Sequence, residues 1–225
     1  MQLLFPTDCT SAEYLKGKLW LTVEPPACPF CKAPSGDCQQ EPCGLVRHGF
    51  YDRVEPEGTR IRRFRCPSTG RTVSLLPAFL LSHRRGRVKS VEDTVAKVEG
   101  RQREQRERTG KRLAQFQLAE WLRPDIGLAG GLRWLRPRLQ VVQFFLLCVR
   151  SLYPQQCPPS PEAGVCEFRV FFGTGRVLAE LRRLAECELH RLPRPLGLGP
   201  FEQCAAALGE PFKHNSGLDP PARGP

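Results

Sequence analysis

Apolar and polar residues divide the chain into segments of different period. Lys18 to Val23 reads as a short strand closed by Pro25-Pro26. Leu45 to Arg53 and Thr59 to Cys66 predict two strands, joined by the turn residues Glu55 to Gly58. Arg71 to Leu75, just before Pro77, predicts a third. Beyond His83 the period lengthens. Val91, Val95 and Val98 fall at i, i+4 and i+7, the apolar stripe of a helix, and Ser90 with Asp93 resembles a capping box at its start. Glu99 to Arg112 holds no apolar residue and alternates acids with bases, the mark of a solvated helix extension or arm, broken near Thr109-Gly110. Leu113 to Leu122 predicts a second helix, stopped by Pro124. Asp125 caps a third, with Leu128, Leu132 and Leu135 on one face and Pro137 beyond its end. Gly127, Gly130 and Gly131 weaken that helix, each by about 1 kcal/mol relative to alanine. Arg138 to Tyr153 predicts a fourth, strongly apolar helix. Pro154 to Gly164 reads as a linker, and Gly175 to Arg191 as an amphipathic helix with Val177, Leu178, Leu181, Leu184 and Leu189 apolar.

These segments predict an α+β protein: a small three-stranded β domain, an all-α bundle and a disordered C-terminal tail. The boundaries are a lead-in strand in 1–27, the β domain in 28–85, the helical domain in 86–154, a linker in 155–167, a helix in 168–191 and a Pro- and Gly-rich tail in 192–225. A chain of 225 residues accommodates one or two such domains.

Charge changes the picture. The net charge is +11, and 18 basic against 8 acidic residues lie between Gly44 and Arg112, so one stretch carries nearly all of the excess. Such a concentration points to a polyanionic partner, most often nucleic acid. The longest apolar run, Leu139 to Val149, is interrupted by Gln140 and Gln143 and falls well short of the ~20 residues of a membrane helix. Met1 to Thr10 lacks the pattern of a signal peptide, which predicts a cytoplasmic protein. In a reducing compartment 11 cysteines are thiols or metal ligands rather than a disulfide framework.

Cys28-Pro29-Phe30-Cys31 places two sulfurs on one tight turn, half of a tetrahedral zinc site. The matching turn, Cys66-Pro67-Ser68-Thr69-Gly70-Arg71, holds Thr69 where a second ligand would stand. Together with Arg47-His48-Gly49-Phe50-Tyr51-Asp52-Arg53, Arg62-Arg63-Phe64-Arg65-Cys66-Pro67 and Gly70-Arg71-Thr72-Val73-Ser74-Leu75-Leu76-Pro77, these residues resemble a bacterial zinc-ribbon family. That family is related to the N-terminal zinc-ribbon and helix-turn-helix regions of insertion-sequence transposases. The resemblance covers residues 28–85 well and 86–140 weakly. It implies a zinc-ribbon-like β domain with zinc on Cys28, Cys31 and Cys66. Cys38 or Cys43 supplies a substitute sulfur for the position of Thr69, Cys43 being the ligand adopted here. A helix-turn-helix-like domain is implied to follow. Cys9, Cys148, Cys157, Cys166, Cys187 and Cys204 read as ordinary small buried or surface thiols.

Arg60, Arg62, Arg63 and Arg65 fall on both faces of one predicted strand, which predicts an exposed ribbon. Arg71, Arg84 and Arg85 extend it, and arginine forks suit phosphate oxygens. In the helix pair Leu113–Leu122 and Asp125–Arg136, Arg133, Arg136 and Arg138 are placed to reach a duplex. No carboxylate triad, G-x-S-x-G, P-loop or H-E-x-x-H pattern occurs, so no enzyme and no small-molecule substrate is expected. The expectation is a non-catalytic protein that binds double-stranded DNA, an accessory or relic of mobile-element machinery. Two alternatives are a protein-interaction module, self-associating through Arg138–Tyr153, and a structural RNA binder stacking bases on Phe50, Tyr51 or Phe64.

Overall fold

The predicted hairpin forms the centre of a sheet. The computed structural model describes residues 1–5, 9–30, 43–199 and 203–204. Strands β1 (Gln2–Leu4), β2 (Val46–Arg53), β3 (Thr59–Arg65) and β4 (Thr72–Leu76) lie in the order β1-β4-β3-β2. β2, β3 and β4 are antiparallel neighbours, with Tyr51 opposite Ile61 and Phe64 opposite Val73. β1 adds to β4 in parallel, with Leu3 opposite Leu75, so the sheet has four strands where three were expected. A register shift between Arg47 and Phe50 contains Gly49 at φ +88°, a backbone that a side chain would strain.

Both faces of β3 are covered. Ile61 packs with Leu76 and Leu80, while Phe64 packs among Tyr14, Trp20, Val73 and Leu75. The second cover comes from helix α1 (Ser11–Lys16), whose start is a capping box. Glu13 donates its N–H to Thr10 Oγ1 at 3.2 Å, and its carboxylate accepts the Thr10 N–H at 2.7 Å. The strand expected over Lys18–Val23 is instead a series of turns continuing from α1. They bury Trp20 and Val23, the apolar residues that suggested the strand.

Helix α2 (Val88–Thr109) buries Val91, Val95 and Val98 as their spacing predicts, and its charged second half continues the helix to the left-handed cap at Gly110. It begins at Arg87 rather than at Ser90, which lies inside and accepts the Thr94 hydroxyl on its carbonyl. Helix α3 (Gln115–Leu122) follows. The third and fourth predicted helices are one helix, α4 (Gly127–Leu152), which runs through Pro137. Asp125 sits in the short 3₁₀ turn before it, paired with Arg123. Gly131 lies where α3 and α4 meet, since a Cβ there would stand 3.2 Å from the Ala119 carbonyl oxygen. This glycine permits a close helix approach.

The single C-terminal helix expected over 168–191 is divided into α5 (Val165–Phe172), α6 (Val177–Leu184) and a 3₁₀ segment, Glu186–Arg191. Residues 192–199, expected in the disordered tail, pack instead. Leu192 and Leu196 join the helical core, and the buried Ser82 hydroxyl donates to the carbonyls of Pro195 and Gly197. The apolar face of Arg138–Tyr153, expected to serve self-association, is spent inside the chain, where Val142, Phe144, Phe145, Leu146, Cys148 and Val149 form the core. No helix among the described residues is long and apolar enough to cross a membrane.

Two glutamates of α2, seven residues apart, organise the helices around it. Glu92 is buried; its carboxylate accepts the N–H groups of Val177 and Leu178 at the start of α6 and a fork from Arg169. Glu99 accepts the N–H groups of Val165 and Cys166 at the start of α5 at 2.9 and 2.7 Å. Each neutralises the orphan donors and positive end of another helix. Gly164 must lack a side chain, because a Cβ there would collide with the Glu99 carboxylate.

Glu99→Ala is therefore expected to cost about 1 kcal/mol, as the loss of a cap. Glu92→Ala is expected to cost more, about 2–4 kcal/mol, because it leaves the buried N–H groups of Val177 and Leu178 without an acceptor, while Arg169 keeps its pair with Asp93. Urea denaturation midpoints of the two variants should rank in that order, and equal midpoints would refute the assignment.

Candidate metal centre

The strand β3 ends at a tight turn that aims several donors at one sulfur. The Gly70 N–H donates to the Cys66 carbonyl at 2.9 Å, and the Cys66 N–H to the Arg71 carbonyl at 2.9 Å. Gly70 takes φ +69°, which closes the turn. Within it the Thr69 N–H donates to Cys66 Sγ at 3.4 Å. Cys43, three residues before β2, brings its sulfur to 3.4 Å from Cys66 Sγ. Cys28, on the segment after α1, completes the group. The three sulfurs lie within 4.8 Å of one another and all three residues are buried. They sit in the sheet core with Phe64, Val73 and Leu45, and the described cysteines carry no disulfide.

These thiols are not equivalent to the other cysteines. Burial pushes the Cys66 thiol up, but hydrogen bonds from Thr69 through its hydroxyl and its N–H, from Cys43 and from the Ser68 backbone outweigh it and bring it down to about 6. Cys148 moves the opposite way, raised to about 12 mainly by burial, and burial also raises Cys157. A thiolate is the form that ligates metal. Zinc–sulfur bonds of ~2.3 Å in a tetrahedron set sulfurs about 3.8 Å apart, within the spread seen here. The donor set, three soft sulfurs in an apolar, buried pocket, fits a thiophilic metal ion.

Of the residues singled out from the sequence, Cys28, Cys43 and Cys66 come together, and Cys31 and Cys38 lie outside the described residues. Thr69 serves as hydrogen-bond donor to the sulfur of Cys66. Phe30, not singled out beforehand as a stacking partner, carries the Arg71 guanidinium 5.5 Å from its ring centre. Phe30 and Arg71 lie far apart in sequence, which leaves no local signal of that stack.

The arginines divide. Arg62 is buried, contrary to the exposed ribbon expected for this strand, and its Nε donates to the Trp20 carbonyl at 2.7 Å. The reason is that the α1 segment covers that face of β3. Arg63 is half-buried and donates to Thr72 Oγ1 at 3.1 Å. Arg60 is exposed, pairs with Asp52 at 3.0 Å and stacks on Phe50 at 4.6 Å. Arg65 and Arg71 are exposed at the two ends of the cysteine turn. Arg84 and Arg85 are exposed on the loop after β4, and Arg133 and Arg136 on α4, where Arg136 donates to Gln115 Oε1 at 3.2 Å. Comparison with models of protein families, with curated proteins and with solved structures gives no match for this chain.

The lowered Cys66 thiol has a measurable consequence in protein stripped of metal. Its folded value lies below the unfolded value of ~8.5. The thiolate's contribution to stability is then fully present above pH ~8.5 and is lost as pH falls through about 6. Denaturation of chelator-treated protein should show stability falling over that window. Cys66→Ser should flatten the profile, and an unchanged profile in that variant would remove Cys66 as the cause.

Proposed function

We propose that this chain is a non-catalytic protein that binds double-stranded DNA and whose sheet unit is held by one structural zinc ion. The observation that carries the reading is the convergence of three buried thiols beneath a turn whose two ends expose Arg65 and Arg71. Cys28, Cys43 and Cys66 would hold the metal, and Cys31, three residues from Cys28, is the fourth thiol by its spacing. Zinc bound by four thiolates has no open position and supplies rigidity rather than chemistry. The protein's own residues supply the rest: Thr69 and Ser68 hold the Cys66 sulfur in its ligating form, and Arg65 and Arg71 are carried on the same turn.

The relation to the zinc-ribbon and helix-turn-helix parts of transposases stands on the motif residues alone. In that reading α3 and α4 are the helix pair, with Arg133 and Arg136 exposed toward a duplex. Arg60, Arg65, Arg71, Arg84 and Arg85 remain exposed for phosphate contact, while Arg62 and Arg63 contribute to the fold. A second reading, a protein-interaction module, is favoured by the exposed apolar residues Phe116, Trp121, Ile126 and Leu128 around α3 and the start of α4.

Native mass spectrometry of the reduced protein should show one zinc per chain. Cys43→Ser should lower zinc affinity by at least tenfold, whereas Thr69→Val should keep the metal. Metal-free wild type would overturn the centre. In anisotropy titrations on a random duplex, Arg65→Ala with Arg71→Ala should lower the slope of log affinity against log salt by nearly 2, at ~0.9 per lost phosphate contact. A wild type that binds no duplex but captures a protein through Trp121 would favour the interaction module.

A further inference from the structure

A second cationic group forms where the loop after β4 meets the helices, and its centre is an aromatic ring. The Trp134 side chain on α4 carries two guanidinium groups. Arg138, one turn on, lies 4.3 Å from the ring centre, and Arg123, from the end of α3, lies 5.3 Å from it. Arg123 is fixed further by a two-pronged pair with Asp125, both bonds 2.7 Å long. Arg138 Nη1 donates to the Trp134 carbonyl at 2.6 Å, and its Nε is buried with no acceptor among the described residues. Burial, and then the positive charges of Arg123 and Arg84, hold the Arg138 guanidinium below its ordinary value, with Glu55 the opposing charge. The loop that carries Arg84 starts from Leu81, which is buried in the same core as Val142 of α4, one turn beyond Arg138.

The loop that carries Arg84 and Arg85 is fastened. Arg53 of β2 donates through Nη2 to the carbonyls of Leu81 and Arg84. His83 and Gly86 both take positive φ, at 54° and 104°, which turns the loop sharply. Arg133 and Arg136 stand exposed on the neighbouring stretch of α4. Asp125 neutralises Arg123 and Glu55 partly offsets Arg138, so the excess positive charge rests on Arg84, Arg85, Arg133 and Arg138. Guanidinium groups stacked on a ring lose little freedom on binding, and their forks match phosphate oxygens.

We propose that Arg84 and Arg138, with Trp134 and Arg123 as positioning residues, form a phosphate-binding clamp for the backbone of double-stranded DNA at the junction of the sheet and the helices. The clamp rests on the nucleic-acid reading above and places its phosphate contacts on α4 and the β4 exit loop, separate from the cysteine turn. Contact with phosphates alone makes the clamp indifferent to base sequence.

The test uses full-length protein and a dye-labelled random-sequence duplex, titrated by anisotropy at several salt concentrations. Arg84→Ala with Arg138→Ala is expected to lower the salt slope by nearly 2, on all sequences alike. Arg138→Lys, which keeps the charge but loses the stack and fork, should weaken binding severalfold while leaving the slope nearly intact. Trp134→Leu should weaken binding, and Arg191→Ala, on the 3₁₀ segment Glu186–Arg191, should change nothing. Arg84→Gln on the exposed loop decides the matter if the double variant fails to fold, with a slope loss of about 0.9 expected. Wild type that binds no duplex overturns the nucleic-acid reading and this inference with it. Wild type that binds with a slope unchanged by Arg84→Gln or the double variant overturns the clamp alone.

Discussion

The helical part of this protein depends on carboxylates placed at the starts of helices that are distant in sequence. Helix α2 turns two glutamates inward, two turns apart on its packed side. Glu92 receives the start of α6 together with Arg169, and Glu99 receives the start of α5. A helix shorter than about 12 residues is marginal by itself, and α5 and α6 have eight each. Their first turns are therefore completed by a neighbour rather than by their own cap residues. The valine stripe of α2 then has a defined surface to pack against, since the first turns of both helices are tied to α2.

The arginine excess has two roles, and the fold separates them. Some guanidinium groups tie backbone carbonyls. Arg62 binds the Trp20 carbonyl, Arg150 those of Pro161 and Ala163, and Arg182 those of Ala78 and Leu80. Arg182 is fully buried, and burial alone pulls it down to about 10. Its Nε and Nη2 have no partner among the described residues. A charge in that position is costly, yet it spans from α6 to the loop that leaves the sheet. Other arginines reach solvent, at the cysteine turn, around Trp134, along the second half of α2 and on α6. Net charge alone thus overstates the exposed cationic surface.

Much of the sheet and little of the helical arrangement was legible in the sequence. β2, β3 and β4 fall within a residue or two of the expected strands because alternation and turn residues are local signals. α2 was legible through its valines. β1 was not, because three residues joining in parallel to a strand some seventy positions later leave no local pattern. Pro137 misled, since a proline normally ends a helix. Here it cannot donate to the Arg133 carbonyl, while the Arg138 side chain donates to the adjacent carbonyl of Trp134. The site was half legible. Cys28, Cys43 and Cys66 were visible as candidate ligands, whereas the lowering of the Cys66 thiol arises from donors that only the folded turn assembles. The inward turn of Arg62 was invisible because it depends on α1 covering that face.

The contacts of Ser82 and of the loop before it bear on when the chain can finish folding. Ser82 donates to carbonyls 113 and 115 residues further on, and Arg182 reaches back across 102 and 104 residues to that loop. During synthesis the sheet's own strands can pair early. The exit loop, however, carries buried polar groups whose partners leave the ribosome only after α6 and residues 192–199 have been made. Until then the loop must remain hydrated and open. The sheet and the helices therefore share a closing step, and a nascent chain halted before the last of these segments exposes Leu80 and Leu81 to the chaperones of the cell.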